Sequence, residues 1–179
     1  MATALIVIDM LNRYEHDDAE QLLESVRAIL PALVRVLEMA RQAKVLTVYV
    51  NDNHGDWTAG RARLSDWALE GPDPSVIEPI LPPDNTPFLI KARHSAFYQT
   101  QLEYLLRQQN IDRLVLCGQV TEQCILYSAL DAYVRHFKVG IACDAVAHIH
   151  DDLAQAALRM MQRNMRAELI NKSKMTDLG

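Results

Sequence analysis

Apolar residues in this chain fall into two patterns, short unbroken runs and longer stretches stepped by three and four. Residues 4–8 (Ala-Leu-Ile-Val-Ile) form an unbroken run that stops at Asp9. Such a run predicts a strand buried on both faces, as in a parallel sheet. Leu22, Leu23, Val26, Ile29, Leu30, Leu33, Val36, Leu37 and Ala40 then trace one stripe of an amphipathic helix that Asp17 or Asp18 could cap. Pro31 inside it predicts a kink or a break into two helices. Further strand-like runs lie at 45–50, 88–90, 113–117, 139–143 and 167–170, separated by helical patterns at 100–109, 120–136 and 151–163. The helix at 120–136 presents Leu126, Ala129, Leu130, Tyr133 and Val134 as its inward stripe, and Asp151 or Asp152 is placed to cap the last helix. Strand and helix alternate throughout, which predicts an α/β domain with a mainly parallel sheet and helices on both faces.

Residues 51–87 break the rhythm. They hold Gly55, Gly60, Gly71, six prolines and both tryptophans, Trp57 and Trp67. The only regular piece expected there is a short helix near 75–80. A long insertion of this kind is often a functional loop or lid, so it is the expected source of substrate selectivity. Trp57 and Trp67 are equally well explained as residues that pack the loop onto the domain.

Composition narrows the class without changing this picture. With 179 residues, the chain is expected to be one domain over 1–179, large enough for a real core. The net charge is −5 and no basic stripe stands out, which speaks against a nucleic-acid partner. No apolar run reaches membrane-spanning length, and no secretory leader precedes the first strand. Three cysteines without close spacing do not form a disulfide framework; a cytoplasmic location is expected. A phosphate-binding Rossmann turn is also disfavoured, because Asp9-Met-Leu-Asn12 contains no glycine.

Three chemically competent residues sit at the strand ends. Asp9 follows the first strand, Lys91 the third, and Cys124 opens the helix after the fourth. In a parallel sheet these ends share one edge, where ligands bind. Cys124 near a helix N-terminus is expected to feel the helix dipole and to ionise more easily. By itself it is also explained as a small buried hydrophobe, just as Asp9 could be a cap and Lys91 a solvated strand end. Cys117 and Cys143, inside apolar runs, read as packing residues.

Leu5-Ile-Val-Ile-Asp-Met10, Lys91-Ala-Arg-His-Ser-Ala-Phe97, Gly118-Gln-Val-Thr-Glu-Gln-Cys124 and Asp144-Ala-Val-Ala147 together resemble the isochorismatase-like cysteine hydrolases, which include nicotinamidases and N-carbamoylsarcosine amidohydrolases. The resemblance spans essentially the whole chain. It implies a three-layer α/β/α sandwich on a six-stranded parallel sheet of order 3-2-1-4-5-6. It also implies a catalytic triad of Asp9, Lys91 and Cys124, an oxyanion hole at the N–H groups of Val120 and Cys124, and a cis peptide at Gln119–Val120. The implied reaction is hydrolysis of a C–N bond in a small amide or carbamoyl compound through a thioester, in a homodimer or higher homo-oligomer. The alternative is a non-catalytic or redox-sensing member of the same fold. Asn53, His54, Trp57 and Phe97 are candidate pocket residues. Asp52-Asn53-His54 repeats the Asp-x-His spacing that nicotinamidases use for a metal, but no histidine lies between His54 and His94, and a metal site needs three or four ligands. No metal and no cofactor are therefore expected. His94 reads as a pocket wall or a surface residue, and His148 and His150 carry no assigned role.

Overall fold

The structure, a computed structural model, describes residues 2–171. Six parallel strands form one sheet: β1 (Thr3–Ile8), β2 (Leu46–Asp52), β3 (Phe88–Lys91), β4 (Arg113–Gln119), β5 (Lys138–Ala147) and β6 (Glu168–Ile170), in the order β3-β2-β1-β4-β5-β6. Five helices connect them: α1 (Ala19–Gln42), α2 (Arg61–Leu69), α3 (Leu102–Gln108), α4 (Leu126–Val134) and α5 (Asp151–Asn164). Every residue of β1 and β4 is buried, which is why these runs carry apolar residues at successive positions rather than alternately.

The pleat sends alternate side chains to opposite faces. Leu5 and Val7 of β1 and Val115 and Cys117 of β4 join the core under α1, with Val26, Leu33 and Val36. Ala4, Ile6, Ile8, Leu114 and Leu116 join the other core, with Leu106 of α3, Ala129 of α4 and Met161 of α5. The order places β1 beside β4, so chain direction across the sheet reverses between them. Ligands in such sheets bind outside the carboxyl ends at this point, which here lead into Asp9 and into the residues that follow Gln119.

Several local expectations are corrected. Pro31 lies inside α1, and the helix runs through it as one element. The carbonyl that proline orphans belongs to Arg27, and Arg27 and Pro31 are both exposed, so water can satisfy it. Asp18 stands at the start of α1 without a side-chain capping bond. Likewise His150, not an aspartate, occupies the cap of α5; Asp151 and Asp152 sit in its first turn, where the helix dipole favours negative charge. The insertion holds a helix that periodicity did not reveal, because only Leu64 and Ala68 of α2 are buried. The region near 75–80 forms two short 3-10 turns, Pro74–Val76 and Glu78–Ile80, rather than one helix.

β5 continues to Ala147, past the expected end at 143, and its pairing with β4 jumps from Leu116↔Ile141 to Gly118↔Val146. A bulge of this size re-aims the strand end. The helix expected at 120–136 begins as a wide turn, Thr121–Ile125, in which Ile125 N donates to Val120 O at 3.1 Å. That i→i+5 bond inserts one residue and rotates the rest of the helix by about 100°. The inward face of α4 is Ser128, Ala129 and Ala132, with Leu126 packed at its edge, while Leu130, Tyr133 and Val134 are 40–55% exposed. Among the described residues no helix is long and apolar enough to cross a membrane.

Candidate active site

Asp9, Lys91 and Cys124 meet at the carboxyl edge of the sheet. Lys91 is the last residue of β3, two strands away from β1, and its side chain crosses the end of β2 to reach Asp9. Its Nζ lies 2.8 Å from Asp9 Oδ2, 3.6 Å from Asp52 Oδ2 and 3.8 Å from Cys124 Sγ. The Lys91 side chain is 1% exposed, a burial that alone would disfavour its charge. The negative charges of Asp9 and Asp52 and the thiol outweigh that cost, so its pKa stands above the ordinary lysine value. Asp9 is held from a second direction, its Oδ1 accepting the Asp52 backbone N–H at 2.7 Å.

The Cys124 sulfur lies within the electrostatic reach of the Asp9 carboxylate and of the Val120 N–H. Burial, followed by the charge of Asp9, raises the thiol pKa well above the ordinary range; Lys91 and the Val120 N–H pull the other way and do not win. This corrects the expectation of a thiol that ionises easily under a helix dipole. The physical reason is that Cys124 is 8% exposed and its sulfur faces an anion, and both effects disfavour a second negative charge.

The turn that carries Cys124 is fixed by its neighbours. Gly118 has φ +109°, and a Cβ there would meet Ile8 O at 2.2 Å, so a side chain is excluded on both counts. The Gln119–Val120 peptide is cis. Gln119 Nε2 donates to Asp9 O at 2.6 Å and its Oε1 accepts from the Tyr14 hydroxyl at 3.2 Å, tying the turn to the loop after β1. Thr121 Oγ1 donates to Ala147 O at 2.8 Å, and Glu122 Oε1 accepts the N–H groups of Ile149 and His150 at 2.9 and 2.8 Å. Glu122 Oε2 is buried with no partner among the described residues.

The candidate pocket residues divide. Asn53 is buried, its N–H donating to Lys91 O at 2.9 Å, and with Lys91, Tyr98 and Trp57 it lines a cavity of about 300 Å³. Trp57 is 83% exposed and stands at the rim rather than packing the loop down. Phe97 packs inside, against Phe137 with centroids 6.0 Å apart and under the Arg135 guanidinium at 5.2 Å; it is a core residue. Trp67, not singled out for the pocket, stacks on His54 at 4.6 Å. Asp52 and His54 do not present a chelating pair. His54 Nε2 lies 3.0 Å from Leu11 O, and Asp52 Oδ1 accepts the His54 N–H at 2.8 Å while Oδ2 faces Lys91. Among the described residues no three His, Cys, Asp or Glu side chains converge to hold an ion, so the residues present do not fit a nicotinamidase-type metal.

Asp52 as a support for Asp9, Gln119 as a bridge and His94 beside the sulfur went unassigned in the sequence. His94 Nδ1 lies 3.7 Å from Cys124 Sγ, and its ring tilts against Tyr127 with centroids 5.5 Å apart. Its place three residues after Lys91 is the one signal that could have pointed to it. His148 and His150 serve elsewhere: His148 contacts Ser25 Oγ at 3.3 Å, and His150 caps α5.

The fold and site define the class: a three-layer α/β/α protein with a carboxylate, an ammonium and a thiol gathered at the switch point of a 3-2-1-4-5-6 sheet. The Isochorismatase domain model matches residues 3–173, and the chain belongs to that family. It is 32% identical over 174 residues to the uncharacterized isochorismatase family protein YaaI of Bacillus subtilis, covering 97% of this chain and 96% of that protein. It is 28% identical over 159 residues to a probable inactive nicotinamidase of Arabidopsis thaliana, with 81% and 80% covered. Among solved structures, N-carbamoylsarcosine amidase from Thermoplasma acidophilum superposes with a TM-score of 0.74 at 26% identity, covering 99% of this chain and 98% of that one.

Proposed function

We propose that this protein is a cysteine hydrolase that cleaves the C–N bond of a small amide or carbamoyl compound through a thioester on Cys124. The observation that carries the reading is the contact set of Lys91, whose Nζ reaches Asp9 at 2.8 Å and the Cys124 sulfur at 3.8 Å at the carboxyl edge of the sheet. A thiol with a raised pKa is protonated at neutral pH and needs a base at the moment of attack. Asp9 accepts that proton as sulfur adds to the carbonyl carbon, then returns it to the departing amine. Lys91 keeps a positive charge between the two anions throughout. The Val120 N–H, together with that of Cys124, serves the tetrahedral oxyanion. Water then hydrolyses the thioester.

Trp57, Asn53 and Tyr98 around the cavity beside Lys91 support a compact substrate. The exposed Leu130, Tyr133 and Val134 of α4 support a homo-oligomer, since contiguous apolar surface of this kind marks interfaces. Cytoplasmic location belongs to the same reading. Likeness to an amidase structure supports the reaction class. Likeness to a probable inactive nicotinamidase and the burial of the thiol favour a second reading, a binding or sensing protein.

A screen of small amides and carbamoyl compounds by ammonia release, with mass spectrometry of trapped Cys124, separates the two. The expected result is release with an acyl group on Cys124, and loss of turnover in Cys124→Ala with the fold retained. Turnover surviving in Cys124→Ala, or no acyl group from any donor, would sink the hydrolase reading.

A further inference from the structure

Titratable groups face the Cys124 sulfur from two sides. Asp9 stands on the buried side with Lys91, the two side chains 10% and 1% exposed. His94 is exposed, with Nδ1 3.7 Å from Sγ and its ring set by Tyr127. Acylation uses Asp9, which ends that step as a carboxylate again on the buried side, and gives His94 no task. The hydrolytic water, however, enters from solvent, after the amine has gone.

We propose that His94 is the catalytic base of the hydrolytic half-reaction. This rests on Cys124 being the acylated nucleophile. As water adds to the thioester carbonyl, its O–H proton passes to neutral His94 and the new C–O bond forms. When the tetrahedral adduct collapses, the C–S bond breaks and the thiolate leaves. The His94 imidazolium then gives its proton to that sulfur, along the contact already present. The products are the free carboxylic acid, the Cys124 thiol and neutral His94, so no further donor or acceptor is needed.

Charge favours this division. Asp9, Asp52 and Lys91 leave the buried side with a net negative charge when all three are ionised, and a departing thiolate adds another. An imidazolium on the open side offsets it at the step where sulfur becomes anionic. The groups facing His94 and the sulfur are Tyr127 of α4, Lys91 of β3, and Asp9 after β1. None of them is both exposed to incoming water and uncommitted to another partner at the sulfur.

The test uses p-nitrophenyl acetate, which acylates a reactive thiol without any need to know the natural substrate. The initial burst of nitrophenolate reads acylation, and the steady state reads hydrolysis of the acetyl-enzyme. In His94→Asn the burst is expected to persist while the steady rate falls about a hundredfold, the ordinary contribution of a general base. Intact-protein mass spectrometry should then show the acetyl group accumulating on Cys124. Hydroxylamine, a nucleophile that needs no base, should restore turnover. A steady rate equal to wild type, or burst and steady rate falling together, overturns the role of His94 and leaves Cys124 as nucleophile. No acetyl group on Cys124 in either the wild-type protein or His94→Asn overturns the nucleophile itself, and this inference with it.

Discussion

Asp9 occupies an uncommon backbone position, with φ +55° immediately after β1. Non-glycine residues at positive φ are infrequent, and aspartate is among the few that tolerate it. The surroundings enforce it: the Asp9 N–H donates to Val50 O at 3.0 Å, its carbonyl accepts from Gln119 and its carboxylate is held by the Asp52 N–H and by Lys91. The carboxylate opposes ionisation of the thiol, and in the proposed reaction it also receives the thiol proton. Asp9→Asn should separate these effects. Alkylation of Cys124 by iodoacetamide is expected to set in at lower pH, because a nearby negative charge has been removed. Acylation by an amide substrate is expected to fall by about a hundredfold or more, because the proton acceptor is gone. An unchanged acylation rate would assign the proton to another group. Asp52 and His54 are committed to other contacts, so chelator treatment followed by an activity assay should find turnover retained.

The turn between β4 and α4 is the element that makes the site. It runs from Gly118, pressed against Ile8, through the cis peptide to the i→i+5 bond at Ile125. Gly118→Ala should cost about 3 kcal/mol or more, since it combines a backbone clash with an unfavourable φ. Urea denaturation measures this directly. A near-neutral result would mean that β1 and β4 can part at their carboxyl ends. The same turn fixes the orientation of α4, and with it which of its apolar residues face outward.

At the scale of the whole molecule, burial decides how stability responds to pH. Burial raises the pKa of the Cys117 thiol and of the Tyr14 and Tyr49 hydroxyls; burial and Asp9 raise that of Cys124. A group whose folded pKa lies above its unfolded one contributes stability that is intact below the unfolded value. That contribution is lost as pH rises through the folded value. The decline should begin near the ordinary thiol pKa of about 8.5 and steepen above about 10, where unfolded tyrosine ionises. Urea midpoints measured from neutral pH to about 11 should trace it, and Cys117→Ala should make the early part of the decline shallower. A flat profile across that range would mean that these groups are not sealed from water.

The sheet was legible in the sequence because a strand buried on both faces has to be apolar at every position, and a parallel order then places Asp9, Lys91 and Cys124 at one edge. Helix α2 was not, since two buried residues in nine make no stripe. The inward face of α4 was read only in part: Leu126 and Ala129 turn to the core while Leu130, Tyr133 and Val134 stay exposed, because apolar periodicity marks a face without saying whether the fold covers it. The protonation state of Cys124 was misread for a related reason: helix dipoles are inferred from sequence position, whereas desolvation and the approach of Asp9 depend on which side chains close over the sulfur. Local pattern therefore determined the strands, their buried faces and the edge where the chemistry gathers. Only the tertiary structure decided the distances between those groups, the partners that hold them and the place of His94 beside the thiol. Those depend on contacts between residues far apart along the chain, and no local pattern encodes them.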